Sequence, residues 1–203
     1  MDLSKLNCMP MFPTNLLSYV WDESDEFNAK LKEIILENTV ASNSPISNIQ
    51  SFGPEDDLMK WNYPEIQELK NRFMNMFRIM TDIYGHDPQK DLSFSLAGWA
   101  NVMHSTQYTT IHNHAQNHWS GVYYVSTGQP DSSIPFNGHI EFNDPRPGAA
   151  MAPHSGGFEL SPRYSLDPKE GLMIIFPSFL EHYVHPFIGE DVRISVAVNA
   201  KIA

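Results

Sequence analysis

The spacing of apolar and polar positions splits the chain into a helical first part and a stranded second part. Met9 to Trp21 reads as an opening strand, interrupted by Pro10 and Pro13. Ser24 stands where a helix N-cap is favoured, and Phe27, Leu31, Ile34 and Ile35 follow it at helical spacing. Ala41 to Asp57 is rich in Ser, Asn, Pro and Gly and reads as a loop. Pro64 suits the first turn of a second helix, whose apolar stripe is Ile66, Leu69, Phe73, Met76, Phe77 and Met80. Tyr84-Gly85-His86-Asp87-Pro88 ends that helix.

Strand-type patterns take over from Leu92. Leu92 to Met103, Gly121 to Val125, Gly138 to Phe142, Gly171 to Phe176 and Val192 to Val198 are short apolar or alternating runs separated by Gly, Pro, Asn and Asp clusters. Short strands following two helices predict a jelly roll or similar double sheet with the helices packed outside it. The Pro- and Gly-rich stretch Asp144 to Pro168 is too long for a tight turn and is a candidate lid. No internal repeat or low-complexity segment interrupts the pattern, so residues 1–203 read as a single domain: a helix-rich part, 1–90, and a β core, 91–203.

Composition narrows the function classes. A net charge of -11 argues against a nucleic-acid partner and against an anionic membrane surface. The one cysteine, Cys8, excludes an internal disulfide framework and a thiolate zinc cluster. The N-terminus lacks the pattern of a secretory leader, and no apolar run approaches a membrane span. The simplest compartment is a reducing cytosol.

The chemistry concentrates in two stretches. Of nine histidines, eight lie between His104 and His185. In Tyr108 to Val125, His112 and His114 sit two apart, a spacing that puts both imidazoles on one face of a strand, with Cα atoms about 7 Å apart. In Glu170 to Pro186, His182 follows the Phe176-Pro177 strand end. His104, His139 and His154 read as ordinary hydrogen-bonded residues, as do His118, His185 and the loop residue His86. Imidazoles without thiolates suit zinc, copper, iron or nickel, and a facial set with open positions suits Fe(II) oxygen chemistry. Arg193 and Ser195 share one face of an alternating strand, with Ile194, Val196 and Val198 on the other. A guanidinium turned inward needs an anion, and a carboxylate matches its fork; the competing reading of Arg193 is a surface salt bridge with Asp191.

In order, H-x-H, S-G-V-Y-Y, E-F-N-D-P-R, G-x4-F-P-S-x3-H and R-I-S-V-x-V-N resemble a family of 2-oxoglutarate/Fe(II)-dependent oxygenases, distant relatives of the prolyl 4-hydroxylases. The resemblance runs from about Trp99 to Asn199, and more weakly over Phe12-Pro13 and Ser42 to Ser51. It implies a double-stranded β-helix (jelly-roll, cupin-like) core, with Fe(II), 2-oxoglutarate and dioxygen. By the same resemblance, His112 and His182 are metal ligands, Arg193 and Ser195 grip the distal carboxylate of 2-oxoglutarate, and Tyr124 contacts it too. One departure stands out: the wider superfamily carries H-x-D/E, and His114 occupies the acidic position. His112, His114 and His182 are the first choice of ligand set. A carboxylate from Glu141 or Asp144, or a shift to His114 with Gln116, is the alternative. The implied reaction hydroxylates a small molecule or peptide and releases succinate and carbon dioxide. Trp119, Tyr123 and the Asp144 to Pro168 loop are candidate walls of the substrate pocket. A cupin-like metal-binding protein or isomerase without oxygen chemistry is the competing class, and a homodimer remains open.

Overall fold

Two antiparallel sheets face each other, and two helices cover the outer side of one of them. The computed structural model describes residues 2–7, 9, 11–22, 24–38, 57–149 and 162–203. In chain order the strands are β1 (Leu17–Val20), β2 (Phe94–Met103), β3 (Thr109–His112), β4 (Trp119–Ser126), β5 (Ile140–Asn143), β6 (Arg163–Leu166), β7 (Leu172–Pro177), β8 (His182–Val184) and β9 (Arg193–Ile202). The helices are α1 (Asp25–Asn38) and α2 (Pro64–Ile83). One sheet has the order β1-β7-β4-β9-β2 and the other β3-β8-β5-β6. In both sheets, strands distant in sequence become neighbours, which is the winding of a double-stranded β-helix.

The helices form where the periodicity places them. α1 begins directly after Ser24, and α2 carries Pro64 at its first turn, where the missing N–H has no intrahelical acceptor to lose. The whole expected stripe of α2 is buried: Ile66, Leu69, Phe73, Met76, Phe77 and Met80. It packs on Trp119, Tyr123, Met173, Ile175, Val196 and Val198 of the five-stranded sheet. A second apolar cluster, including Tyr124, Ile140, Phe142, Ile174 and Phe176, fills the space between the sheets. Period-2 alternation explains the division: along β7, Met173 and Ile175 face the helices while Leu172, Ile174 and Phe176 face the other sheet. Gly121 lets α2 approach β4 closely, since a Cβ there would lie 2.5 Å from Ile175 Cδ1 and 2.9 Å from Phe73 Cε1.

Some expectations need correcting. The opening strand is only Leu17–Val20 rather than Met9 to Trp21; Pro13, upstream of it, has no N–H to give a ladder. The stretch Asp144 to Pro168 contains strand β6, which extends the four-stranded sheet beside β5; residues 150–161 of the expected lid lie outside the described residues. Of the expected loop Ala41 to Asp57, 41–56 also lie outside them. Asp57 itself is buried, and its Oδ1 accepts from the N–H groups of Met59 (3.0 Å) and Gly98 (2.9 Å), tying the segment before α2 to β2.

Candidate active site

Strand pairing brings the distant histidines together. His112, at the end of β3, is directly opposite His182, at the start of β8. His114 is not on the strand: β3 ends at His112, and the common-face argument for the pair fails for that reason. A hydrogen bond from the His114 N–H to the Ser178 carbonyl (2.9 Å) ties it to the segment after β7, and the chain turns just beyond it, with the Asn117 N–H on the His114 carbonyl (3.3 Å). The three rings still converge, with centroids 4.3 Å apart for His112–His182, 5.1 Å for His112–His114 and 5.2 Å for His114–His182. One nitrogen from each ring lies within 4.8 Å of the others.

The electronic state of the rings suits ligation. His112 Nδ1 is 2.7 Å from the Thr110 carbonyl, and His182 Nδ1 is 2.9 Å from the Leu180 carbonyl. A carbonyl only accepts, so each Nδ1 carries a proton and Nε2 is the nitrogen available for ligation. Burial, helped by the neighbouring His112, pushes His114 down to about 4 and His182 down to about 3, so both imidazoles are neutral near pH 7.

The neighbouring carboxylates are engaged elsewhere. Glu141 faces away from Phe142, the residue paired with His182. Its Oε1 accepts from the Tyr183 hydroxyl (2.6 Å) and lies 3.2 Å from Arg163, and its Oε2 meets His185 Nε2 at 2.9 Å. Asp144 pairs with Arg146. Among the described residues the three histidines form the sole cluster of this kind, and neither Glu141 nor Asp144 joins it. Gln116 adopts a left-handed backbone (φ 75°) in the turn after His114. Three further histidines have other partners: His139 contacts Ser165 and Asp167, His118 Nδ1 accepts from the Ile202 N–H, and His86 approaches Asp82. His154 lies outside the described residues.

A cavity extends from the triad into the space between the sheets and ends at Arg193. Arg193 is 1% exposed, and no ion pair among the described residues includes it; Asp191, its sequence-level candidate, pairs with Lys32. Its guanidinium lies 5.3 Å from the Tyr124 ring centroid and 3.5 Å, through Nη1, from Ser195 Oγ. Burial pushes its pKa down. Burial also pushes the Tyr124 hydroxyl up to about 12, against the pull of Arg193. Ser195 pairs across the sheet with Asn101 on one side and Tyr124 on the other. Arg193, Ser195 and Tyr124 are therefore brought together at the end of the cavity far from the histidines.

Trp119 and Tyr123 do not line this space. They sit on the helix-facing side of β4, where Trp119 Nε1 donates to Thr81 (2.8 Å) and the Tyr123 hydroxyl to Asn28 (2.7 Å). Their neighbours Ser120, Val122 and Tyr124 line the cavity instead, together with Trp99, Asn101 and Asn199; of these only Tyr124 stood out as a site residue in the sequence. The available signal was parity: each is an inward position on an otherwise apolar strand.

Residues 97–199, half of the chain, match the family described as "Putative 2OG-Fe(II) oxygenase". The chain belongs to this oxygenase family. No curated protein matches the sequence significantly. Solved structures of low identity share the fold. A Pseudomonas putida prolyl-4-hydroxylase aligns over 98% of this chain and 95% of its own at 14% identity, with a TM-score of 0.57. The α-ketoglutarate-dependent epimerase SnoN from nogalamycin biosynthesis aligns over 92% and 77% at 10% identity, with a TM-score of 0.61. The chain spans 59% of the length of a 2OG-Fe(II) oxygenase family oxidoreductase from Burkholderia pseudomallei, aligned over 70% of this chain at 16% identity with a TM-score of 0.46.

Members of this family use Fe(II), 2-oxoglutarate and dioxygen, and the oxygenase described here has side chains that fit the first two. A cluster of three imidazoles suits Fe(II). The buried guanidinium and the Tyr124 hydroxyl, each with an atom lacking a hydrogen-bond partner, suit a carboxylate.

Proposed function

We propose that the chain is a single-domain 2-oxoglutarate- and Fe(II)-dependent dioxygenase of the hydroxylase type. His112, His114 and His182 would hold the metal, and Arg193, Ser195 and Tyr124 would hold the distal carboxylate of 2-oxoglutarate. The observation that carries the reading is the pairing of two incomplete sites in one cavity. Three converging imidazoles lie at one end, and a fully buried arginine without an ion pair lies at the other. A buried charge without a counter-charge is strongly unfavourable, so an anionic ligand at Arg193 offsets a cost the fold otherwise bears.

Bound Fe(II) would supply the oxidation that converts 2-oxoglutarate and dioxygen to succinate and carbon dioxide while one oxygen atom is inserted into a substrate C–H bond. Thr110 and Leu180 hold the His112 and His182 tautomers and turn Nε2 toward the metal position. Arg193 and Tyr124 orient the cosubstrate from its far end. Phe142, Phe176 and Ile140 keep water from the space between the sheets. A third imidazole in place of an acid leaves the protein ligands uncharged; with the distal carboxylate paired to Arg193, the carboxylate at the other end of 2-oxoglutarate would be the one that offsets charge at the metal.

The substrate is a small molecule or peptide, and a cytosolic setting belongs to the same proposal, carried by the lone Cys8. No described helix is long and apolar enough to cross a membrane. The prolyl-4-hydroxylase neighbour favours hydroxylation, while the epimerase neighbour marks a different outcome on the same fold. The test is metal analysis followed by calorimetry. Purified protein should bind one Fe(II), or Mn(II) as a surrogate, and His112→Ala and His182→Ala should each abolish binding. Full occupancy in both variants would refute the ligand set. Under air, Fe(II)-loaded protein should release succinate from 2-oxoglutarate; metal binding without 2-oxoglutarate binding would favour the cupin-like reading instead.

A further inference from the structure

Among the described residues, seven buried side-chain nitrogen or oxygen atoms lack a hydrogen-bond partner, and four of them belong to residues lining one cavity: Trp99 Nε1, Asn101 Oδ1, Tyr124 Oη and Arg193 Nε. Arg193 and Tyr124 mark the end far from the histidines. Trp99 marks the other. Its ring centroid is 5.5 Å from that of His114. On β2 it is opposite Ala197, four residues along β9 from Arg193, or about 13 Å of strand. An indole N–H can only donate, and a buried one ordinarily finds an acceptor. The groups nearest in the sheet do not provide one: Ala197, opposite it on β9, and Val122, beyond Ala197 on β4, are apolar, Ser120 is engaged with Ser178 and Asn199, and Asn101 Oδ1, two residues along β2, is itself without a partner.

We propose that the Trp99 indole N–H donates a hydrogen bond to the carboxylate of 2-oxoglutarate that lies against the metal, at the opposite end from Arg193. This rests on the oxygenase reading of the cavity and adds to it a residue for the second carboxylate. The chemistry is matched: a carboxylate accepts only, the indole donates only, and a hydrogen bond to an ionised acceptor is stronger than one between neutral groups. Trp99 would thus help orient the 2-oxo acid head, whereas Arg193 and Tyr124 fix its tail.

Two carboxylic acids separate the ends. 2-Oxoglutarate carries both carboxylates; pyruvate keeps the 2-oxo acid head and lacks the distal one. In ¹⁵N-labelled, Zn(II)-loaded protein, the assigned Trp99 indole N–H resonance should move downfield with either ligand. In calorimetry, Trp99→Phe keeps an aromatic ring but removes the donor. It should retain metal and bind both ligands about tenfold more weakly, in line with loss of a charge-assisted hydrogen bond. Arg193→Ala should weaken 2-oxoglutarate and leave pyruvate unchanged. An unmoved Trp99 resonance, an unchanged affinity in Trp99→Phe, or a loss confined to 2-oxoglutarate overturns the proposal while leaving the oxygenase reading intact. The resonance test uses the wild-type fold and decides the matter even where the variant does not fold. If Zn(II)-loaded wild type binds neither ligand, the oxygenase reading itself fails.

Discussion

A backbone carbonyl is the least conspicuous part of this site and the one that prepares it. The Thr110 and Leu180 carbonyls each accept a hydrogen bond from an imidazole two residues on, so His112 and His182 present the same nitrogen, Nε2, for ligation. The third position tests the design. A carboxylate can replace an imidazole at a metal, so His114→Asp should retain Fe(II), whereas His114→Ala should lose most of it; elemental analysis of both variants decides. Glu141→Gln should leave metal content unchanged. Burial raises the Glu141 pKa, but the Tyr183 hydroxyl, His185 and Arg163 outweigh it and hold the carboxylate below its ordinary value, all on the face away from His182. Loss of iron in Glu141→Gln with retention in His114→Ala would exchange their roles. At the far end, Arg193→Ala should weaken 2-oxoglutarate by at least tenfold, since truncating one member of a buried charged pair costs on the order of 2–5 kcal/mol. Metal binding should be nearly unaffected, because the guanidinium does not reach the histidines.

Within single elements, parity assigns the work. Along β4 the odd-numbered positions Trp119, Gly121, Tyr123 and Val125 meet the helices, and Ser120, Val122 and Tyr124 line the cavity. The sequence motif S-G-V-Y-Y therefore combines two functions in alternate residues. Gly121 is the tightest point, and Gly121→Val should destabilise the protein by about 1–3 kcal/mol through overpacking against Ile175 and Phe73. Phe73→Ala, from the same contact, should cost about 3–5 kcal/mol as a cavity. Urea unfolding checks both. A Gly121→Val midpoint equal to wild type would mean that α2 does not press on β4 as described.

At the scale of the whole molecule, ligands and fold are thermodynamically linked. A ligand that binds only the folded state stabilises it by RT ln(1 + [L]/Kd), about 2.7 kcal/mol at a hundredfold excess over Kd. Metal-loaded protein should gain that much from 2-oxoglutarate, and Arg193→Ala about half as much at the same concentration if its affinity falls tenfold; thermal unfolding with and without 2-oxoglutarate measures the difference. The amino-acid sequence alone determined the local elements with strong periodicity: both helices, the buried stripe of α2 from Ile66 to Met80, and the alternation of Arg193 and Ser195 against Ile194 and Val196. It also carried the order of motifs by which the family is recognised. It placed a strand at His112 but ran it on to His114, and it did not reveal the short strands β6 and β8, whose three or four residues carry no apolar run to declare a period. Nor could it show that His114 reaches the other rings from a turn, that Trp119 and Tyr123 face the helices, or that Glu141 points away from them. Those facts depend on which strands pair and in what register, and pairing joins residues as far apart as His112 and His182. Only the closed double sheet sets those distances, because it forms through long-range contacts that no local stretch of chain encodes.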